Sequence, residues 1–477
     1  MIKVWINKQI KDDRPDQYKD SLIFDILDKN NKSNVKTNVE DLWRRFGKRT
    51  VKPINEDFLI VAMSIFCADK RVPRSYFADS WTRHISINIP VVEIEKWQGV
   101  KDNLEVMLNF LSGDKWSINF RSSTNRLRGG KESRYKIIKN REFDGVSLFS
   151  GGLDSFCGSL KLFSENKRIC YVGYREYGLL SNRQSELFGA LGNYYKQIDK
   201  EMLLFNVTPL RPLGIPQEVE KCGVENSSRS RSFLFLAGAL AVASQLGDEV
   251  PVYIPENGFI GINVPLTDSR HGSCSTRTTH PYFIRMLNGI LRSLGINNKV
   301  VNFYSFMTKG EIVSKFSENP VFKEYAKKTI SCSHPCQSRY DKIKPPINCG
   351  YCYPCIIRRA AMNKINYDES GFYNPEYSLT KDFIDQHNNF DGKASDFRAI
   401  LLSLKDFLDN EKDENFMKYI LLKHGMLSKE ELEGYKRVYC ESMKEIYEMI
   451  KVEDRKTNGG IIDYLGIKKD IEEVVQG

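Results

Sequence analysis

Apolar positions fall into two regimes along the chain. Up to about residue 140 they come in short stretches broken by charged connections. HISINIPVVEI (84–94) alternates as a strand does, KWSINFRSS (115–123) reads as another, and LEVMLNFL (104–111) between them fits either a strand or a short helix. No chemical motif stands out there, and the pattern predicts an accessory α+β domain over 1–140. RSSTNRLRGGKESRYKIIKNR (121–141) is polar and basic, the signature of a linker or surface loop.

From Val146 strands and helices alternate. VSLF (146–149), RICYVGY (168–174), LLFNV (203–207), VPVYIPE (250–256) and KVVNFYSF (299–306) read as strands. Between them lie helical stretches at SFCGSLKLF (155–163), RQSELFGALGNYYKQI (183–198), FLFLAGALAVASQL (233–246) and PYFIRMLNGILRSLG (281–295). The third of these is apolar on every side, as a helix buried in the middle of a domain would be. Alternation of this kind predicts an α/β, doubly wound parallel sheet over 141–365, with ligands at the carboxyl ends of the strands. The tail from 366 to 477 turns helical. Phe397, Ile400, Leu401, Leu404 and Leu408 form one stripe, and Ser428 with Glu431 forms a capping box before a helix running through Met449.

The strand at Val146 runs into SGGLDS (150–155) and then into a helix. Backbone N–H groups and the helix dipole converge on an anion at such a junction. The glycines admit close approach, and the hydroxyls of Ser150 and Ser155 add donors. No Gly-Lys-Ser/Thr follows, so this is not the Walker loop. The expectation is a phosphate site.

A second motif lies at SCSHPCQSRYDKIKPPINCGYCYPC (331–355), with five cysteines and one histidine. Cys349, Cys352 and Cys355 form a C-x₂-C-x₂-C run, and either Cys332 or Cys336 can supply a fourth corner. Closed Cys₄ sites are usually structural zinc. The same spacing also serves a four-iron cluster. The eleven cysteines are an odd number, unevenly spread, which argues against a secreted disulfide framework. No run of eighteen apolar residues occurs and MIKVWINKQIKDD lacks the apolar core of a signal peptide, so a cytoplasmic protein is expected. A formal net charge of +10 over 477 residues permits an acidic partner or a nucleotide and does not by itself indicate nucleic acid.

Together, in this order, the two motifs resemble the QueC branch of the PP-loop ATP pyrophosphatases, the 7-cyano-7-deazaguanine synthase family. The likeness covers about 144–365 and rests also on NSSRSRSFLFLAGALA (226–241), PENG (255–258), TKGE (308–311) and CGYCYPCIIRRA (349–360). It implies a PP-loop, HUP-like fold and the cofactors ATP, Mg²⁺ and Zn²⁺. A substrate carboxylate would be adenylated, with release of pyrophosphate and then AMP. It puts Ser150, Gly151, Gly152, Leu153, Asp154 and Ser155 at the nucleotide, with Asp154 at the magnesium pyrophosphate. Arg231 would clamp phosphates or be an ordinary helix-start arginine. Lys309, an ammonium at a helix start, calls for an anion beside it, and a phosphate role is favoured. Glu256, Arg277, Thr278 and His280 would contact the base, although His280 before Pro281 also suits a cap. Cys332, Cys349, Cys352 and Cys355 would hold the metal.

The departures are YREYGLLSNRQ (174–184) in place of the family's usual stretch, and the flanking 140 and 110 residues. Those additions resemble the QueC-like proteins of bacterial antiphage systems, the Qat system among them. There the acyl group is thought to pass to a protein amine, so the resemblance implies a partner protein as acceptor. Alternatives are nitrile synthesis with ammonia, a tRNA-modifying enzyme using Cys157 or Cys274 as sulfur carrier, and a scaffold without activity.

Overall fold

The computed structural model describes residues 1–8, 14–26, 33–127, 137–138, 142–225, 227–266, 277–387, 392–423 and 425–466. Cys274 and most of the basic 121–141 stretch therefore lie outside the described residues. The strands are β1 (Ile2–Asn7), β2 (Leu22–Asp25), β3 (Val35–Thr37), β4 (His84–Val91), β5 (Lys115–Ser122), β6 (Gly145–Leu148), β7 (Ile169–Tyr174), β8 (Lys200–Phe205), β9 (Val207–Pro209), β10 (Val252–Tyr253) and β11 (Val300–Val301).

Two all-parallel sheets form, one of four strands in the order β2-β1-β4-β5 and one of five in the order β11-β10-β6-β7-β8. The N-terminal part is thus α/β, not α+β. The reason is the 104–111 run, which belongs to a helix over Ile94–Ser112 with Trp97, Val100, Leu104, Met107, Leu108 and Leu111 on its buried face. A helix between β4 and β5 lets them run side by side in the same direction. Gly113, at φ 71°, ends that helix and turns the chain into β5.

In the five-stranded sheet β6 is central. The chain leaves it for β7 and β8 on one side, then returns to β10 and β11 on the other. That makes β6 the switch point of a doubly wound sheet, where a crevice opens at the strands' carboxyl ends. Helix Arg231–Leu246 is buried from Phe233 to Ser244, apart from Phe235, between the sheet and helix Pro53–Arg71. Its apolar circumference follows from having partners on both sides.

One hydrophobic core runs through both sheets. It joins Val4, Ile87 and Ile118 to Val146, Val172, Phe205, Leu240 and Val300. A second joins Phe397, Ile400, Leu404, Met443 and Ile446 of the tail to Cys352, Cys355 and Ile356. The long helix Lys429–Thr457 starts at the expected Ser428–Glu431 capping box. No helix among the described residues is long and apolar enough to cross a membrane.

Candidate active site

The SGGLDS segment spans the turn from β6 into helix Leu153–Ser164, as its pattern predicts. Gly151 has φ +78°, a conformation L side chains avoid, and a Cβ there would lie 3.1 Å from Gln184 Cγ. Ser150 Oγ accepts from Gly152 N (3.2 Å) and lies 3.2 Å from Ser155 Oγ. Gln184 Nε2 donates to the carbonyls of Phe149 and Ser150 at 3.2 Å, and Ile330 N donates to the Gly151 carbonyl at 3.0 Å. The loop's carbonyls are thereby tied back. The first-turn N–H groups of a helix have no partner within it; that of Leu153 donates to Ser331 Oγ, and those of Asp154 and Ser155 are the ones a helix start would offer an anion. Leu153 contributes backbone only, since its side chain is in the core.

A cavity of about 340 Å³ opens beside this loop. It is lined at the strands' carboxyl ends by Ser150, Tyr174, Phe205 and Glu256, and across from the sheet by Arg229, Arg231, Thr278 and Thr279. Its size is that of a small-molecule pocket.

Behind Glu256 lies a charged cluster assembled from three distant segments. Lys309 Nζ sits 2.8 Å from Asp154 Oδ1, both side chains nearly fully buried. Asp154 Oδ2 accepts from Asn257 N (3.2 Å) and Asn257 Nδ2 (2.7 Å). Burial opposes the Asp154 charge, but the Lys309 ammonium and hydrogen bonds from Glu256, Lys309 and Asn257 outweigh it and hold the carboxyl below its usual range. Burial first, then the charge of Asp154, pushes Glu256 well above the carboxylate range. The pair therefore reads as one carboxylate and one carboxylic acid. Glu256 faces the cavity, and a Mg²⁺ there would have to displace its proton before the two groups could serve together as hard carboxylate ligands.

The other expected site residues divide. Arg231 lines the cavity, but it is 40 % exposed and ion-paired with Glu176 at 2.5 Å. Lys309 does not face the cavity. The anion its helix start requires is Asp154, in a turn closed by the Thr308–Glu311 capping box. Thr278 is in the wall. Arg277 is not: its Nη1 donates to Phe110 O at 2.7 Å and its guanidinium lies over the Phe110 ring. His280 is the N-cap of helix Pro281–Ser293, its Nδ1 accepting from Tyr282 N at 3.2 Å, so the capping reading is the one realised. Cys157 is buried, and burial pushes its thiol far up, which leaves it inert.

Sequence reasoning missed Gln184, Glu176, Arg229 and Ser331. It also missed Asp69, in the last turn of helix Pro53–Arg71, which is buried from Ile54 to Asp69. Asp69 Oδ2 accepts from both Ser230 N and Ser230 Oγ at 2.7 Å, and so fixes the turn before Arg231 from the N-terminal side. A carboxylate in an otherwise apolar run (FLIVAMSIFCAD, 58–69) was the available signal.

Cys332, Cys349, Cys352 and Cys355 converge, with all four Sγ atoms within 4.8 Å of one another; Cys336 is outside the group. Cys332–Cys352 and Cys349–Cys355 are 3.8 and 3.9 Å apart. A tetrahedron with Zn–S bonds of about 2.3 Å has edges of about 3.8 Å. Backbone N–H groups of His334 and Cys349 point at the Cys332 sulfur, and that of Cys352 at the Cys349 sulfur. Such donors favour thiolates, so the site fits a metal ion such as zinc. It also supports the glycine loop. Ser331, next to Cys332, accepts from Leu153 N (3.2 Å), and Asn348, next to Cys349, accepts from Ser331 N (2.9 Å).

No family model matches the chain, and no curated protein matches it at a significant level.

Proposed function

We propose that the chain is a QueC-like adenylating enzyme that activates a 7-deazaguanine carboxylate and passes the acyl group to an amine, in bacterial antiphage defence. The observation that carries this reading is the SGGLDS loop at the switch point of a parallel sheet, beside a cavity and backed by the Asp154–Glu256–Lys309 cluster. The motif combination of that loop with a closing Cys₄ run supports the QueC-like, PP-loop assignment.

In the proposed reaction the acid's oxygen attacks the α-phosphorus of ATP, and the α–β phosphoanhydride bond breaks to release pyrophosphate. An amine nitrogen then attacks the acyl carbon, sheds a proton, and the bond to AMP breaks. Ser150, Ser155 and the helix start hold the phosphates, because oriented N–H and O–H donors stabilise anionic oxygen without reorganising. Lys309 keeps Asp154 ionised. Asp154 and Glu256 would hold Mg²⁺, which would neutralise charge on the departing pyrophosphate. Zinc at the four cysteines is structural. A protein N-terminus is favoured as the amine because its lower pKa leaves more free base near pH 7 than lysine has. Sulfur transfer through Cys157 is disfavoured by its burial.

Incubation with ATP, Mg²⁺, 7-carboxy-7-deazaguanine and a candidate acceptor protein tests this by intact mass. The acceptor should gain the deazaguanine acyl mass, and acetylating its N-terminus should block the gain. Free nitrile with no mass gain would replace conjugation by ammonia-dependent synthesis.

A further inference from the structure

Arg229 is an arginine of the cavity wall to which the resemblance gives no role. It is 5 % exposed and lies beside Ser228 and close to Arg231 in the lining. Its guanidinium stacks 4.8 Å from the Trp81 ring centroid, and Nη1 donates to the Ser112 carbonyl at 2.6 Å. Its Nε is buried and meets no acceptor among the described residues, and neither do the buried hydroxyls of Ser228 and Ser232, which line the same cavity.

The surrounding carboxylates are committed elsewhere. Asp114 accepts from Arg74 and Arg83, Asp69 pairs with Arg83 and Ser230, and Glu225 accepts from the Arg74 N–H and from Ser227. Burial first, then the charge of Arg74 with that of Arg83, pulls Arg229 down to about 10 against the opposing charges of Asp114 and Asp69, so it is still a cation at neutral pH. Among the described residues no carboxylate hydrogen-bonds to Arg229, whose acceptor is the neutral Ser112 carbonyl, and a buried cation so placed is costly until an anion completes it. The planar guanidinium suits a carboxylate in particular. The glycine loop already provides for phosphate in the same cavity, and Val172, Tyr174, Phe235 and Ile254 supply flat apolar wall.

We propose that Arg229, with the Ser228 and Ser232 hydroxyls, binds the carboxylate of a flat heteroaromatic acid, at a subsite separate from the nucleotide phosphates. The inference rests on the adenylation reading for the acid's role. Neutralising the acid's charge would let it approach a second anion, the α-phosphate. Arg231 is poorly suited to this because Glu176 already pairs with it.

Calorimetry decides the point. Wild-type protein is titrated with 7-carboxy-7-deazaguanine, with its neutral carboxamide, with indole-3-carboxylate and, separately, with a non-hydrolysable ATP analogue. The acid should bind at least about tenfold more tightly than the amide, the scale of one charge-assisted hydrogen bond. Arg229→Gln should remove that preference and leave the amide and the ATP analogue within about twofold, and Arg229→Lys should restore part of it. Retained amide binding reports an intact cavity. Equal binding of acid and amide to the wild type overturns the proposal even where the variant fails to fold. Loss of the ATP analogue in Arg229→Gln also overturns it, and assigns the residue to phosphate. Arg229-dependent binding of indole-3-carboxylate without any deazaguanine binding would keep the subsite and refute the deazaguanine reading. Binding of neither acid overturns the subsite itself.

Discussion

Asp154 stands between an ammonium that needs its charge and a carboxyl that shares its space. Removing it therefore does more than alter the glycine loop. Asp154→Ala strands the Lys309 ammonium in a site that is 3 % exposed, and should cost about 3–5 kcal/mol, read from urea denaturation. Asp154→Asn combined with Lys309→Met removes both charges and should recover most of that loss while remaining inactive. Equal stability of the single and double variants would contradict the pairing. Glu256 gives a pH test. An acid whose folded pKa is raised stabilises the fold fully below its unfolded value, here 4.5, and loses that contribution as pH rises through the folded value. Asp154, depressed, does the reverse: its contribution is present at neutral pH and fades as pH falls through the folded value. Glu256→Gln should accordingly be inactive yet more stable than wild type at pH 8, the gap narrowing toward pH 4. Each pKa unit of elevation is worth about 1.4 kcal/mol, and a gap that does not change with pH would contradict the assignment. The grouping of Ser150, Asp154 and Ser155 at one strand–helix turn was legible because the whole glycine loop is one local string. Their coupling to Glu256 and Lys309 was not, because it joins positions about a hundred or more residues apart. Arg277 and His280 were ambiguous for a related reason, since a basic run before a helix serves capping and inter-element contacts, as these two do, as readily as ligand binding.

At the scale of elements, two supports hold the glycine loop and its lysine helix. One is the cysteine loop, stitched through Asn348 and Ser331 to Leu153 N. Cys352→Ser should drop bound metal from one ion per chain to none by elemental analysis and lower the melting temperature, because structural metal binding is folding free energy. Through Ser331 it should also weaken ATP-analogue binding. A stable, metal-free variant with unchanged nucleotide affinity would contradict that linkage. The other support is helix Lys429–Thr457. Its Glu445 accepts from Thr308 Oγ1 at 2.6 Å, Gly310 N at 3.2 Å and Lys364 Nζ at 2.8 Å. A Cβ on Gly310 would lie 2.4 Å from that carboxylate, so the contact needs glycine. Both capping boxes could be read from sequence, since each spans four residues. The reach of Glu445 back to Thr308 could not.

At the scale of the whole molecule, the change of pattern near residue 140 does not interrupt the packing. The Asp69–Ser230 contacts and the core joining Ile87 to Leu240 cross it. A chain beginning at residue 141 should therefore expose helix Arg231–Leu246 and fail to give soluble, cooperatively melting protein. Soluble protein with a wild-type melting curve would contradict the shared core. The five-stranded sheet was legible because alternating strands and helices leave few topologies. The N-terminal sheet was not, because an apolar run of eight residues fits either element until its neighbours are known. The central claim concerns the loop at the middle of the five-stranded sheet, and exchange of labelled pyrophosphate into ATP tests it most directly. The account predicts exchange that requires Mg²⁺ and 7-carboxy-7-deazaguanine and disappears in the Asp154→Asn, Lys309→Met variant. No exchange with the folded, metal-loaded wild type, or exchange that persists in that variant, would contradict it.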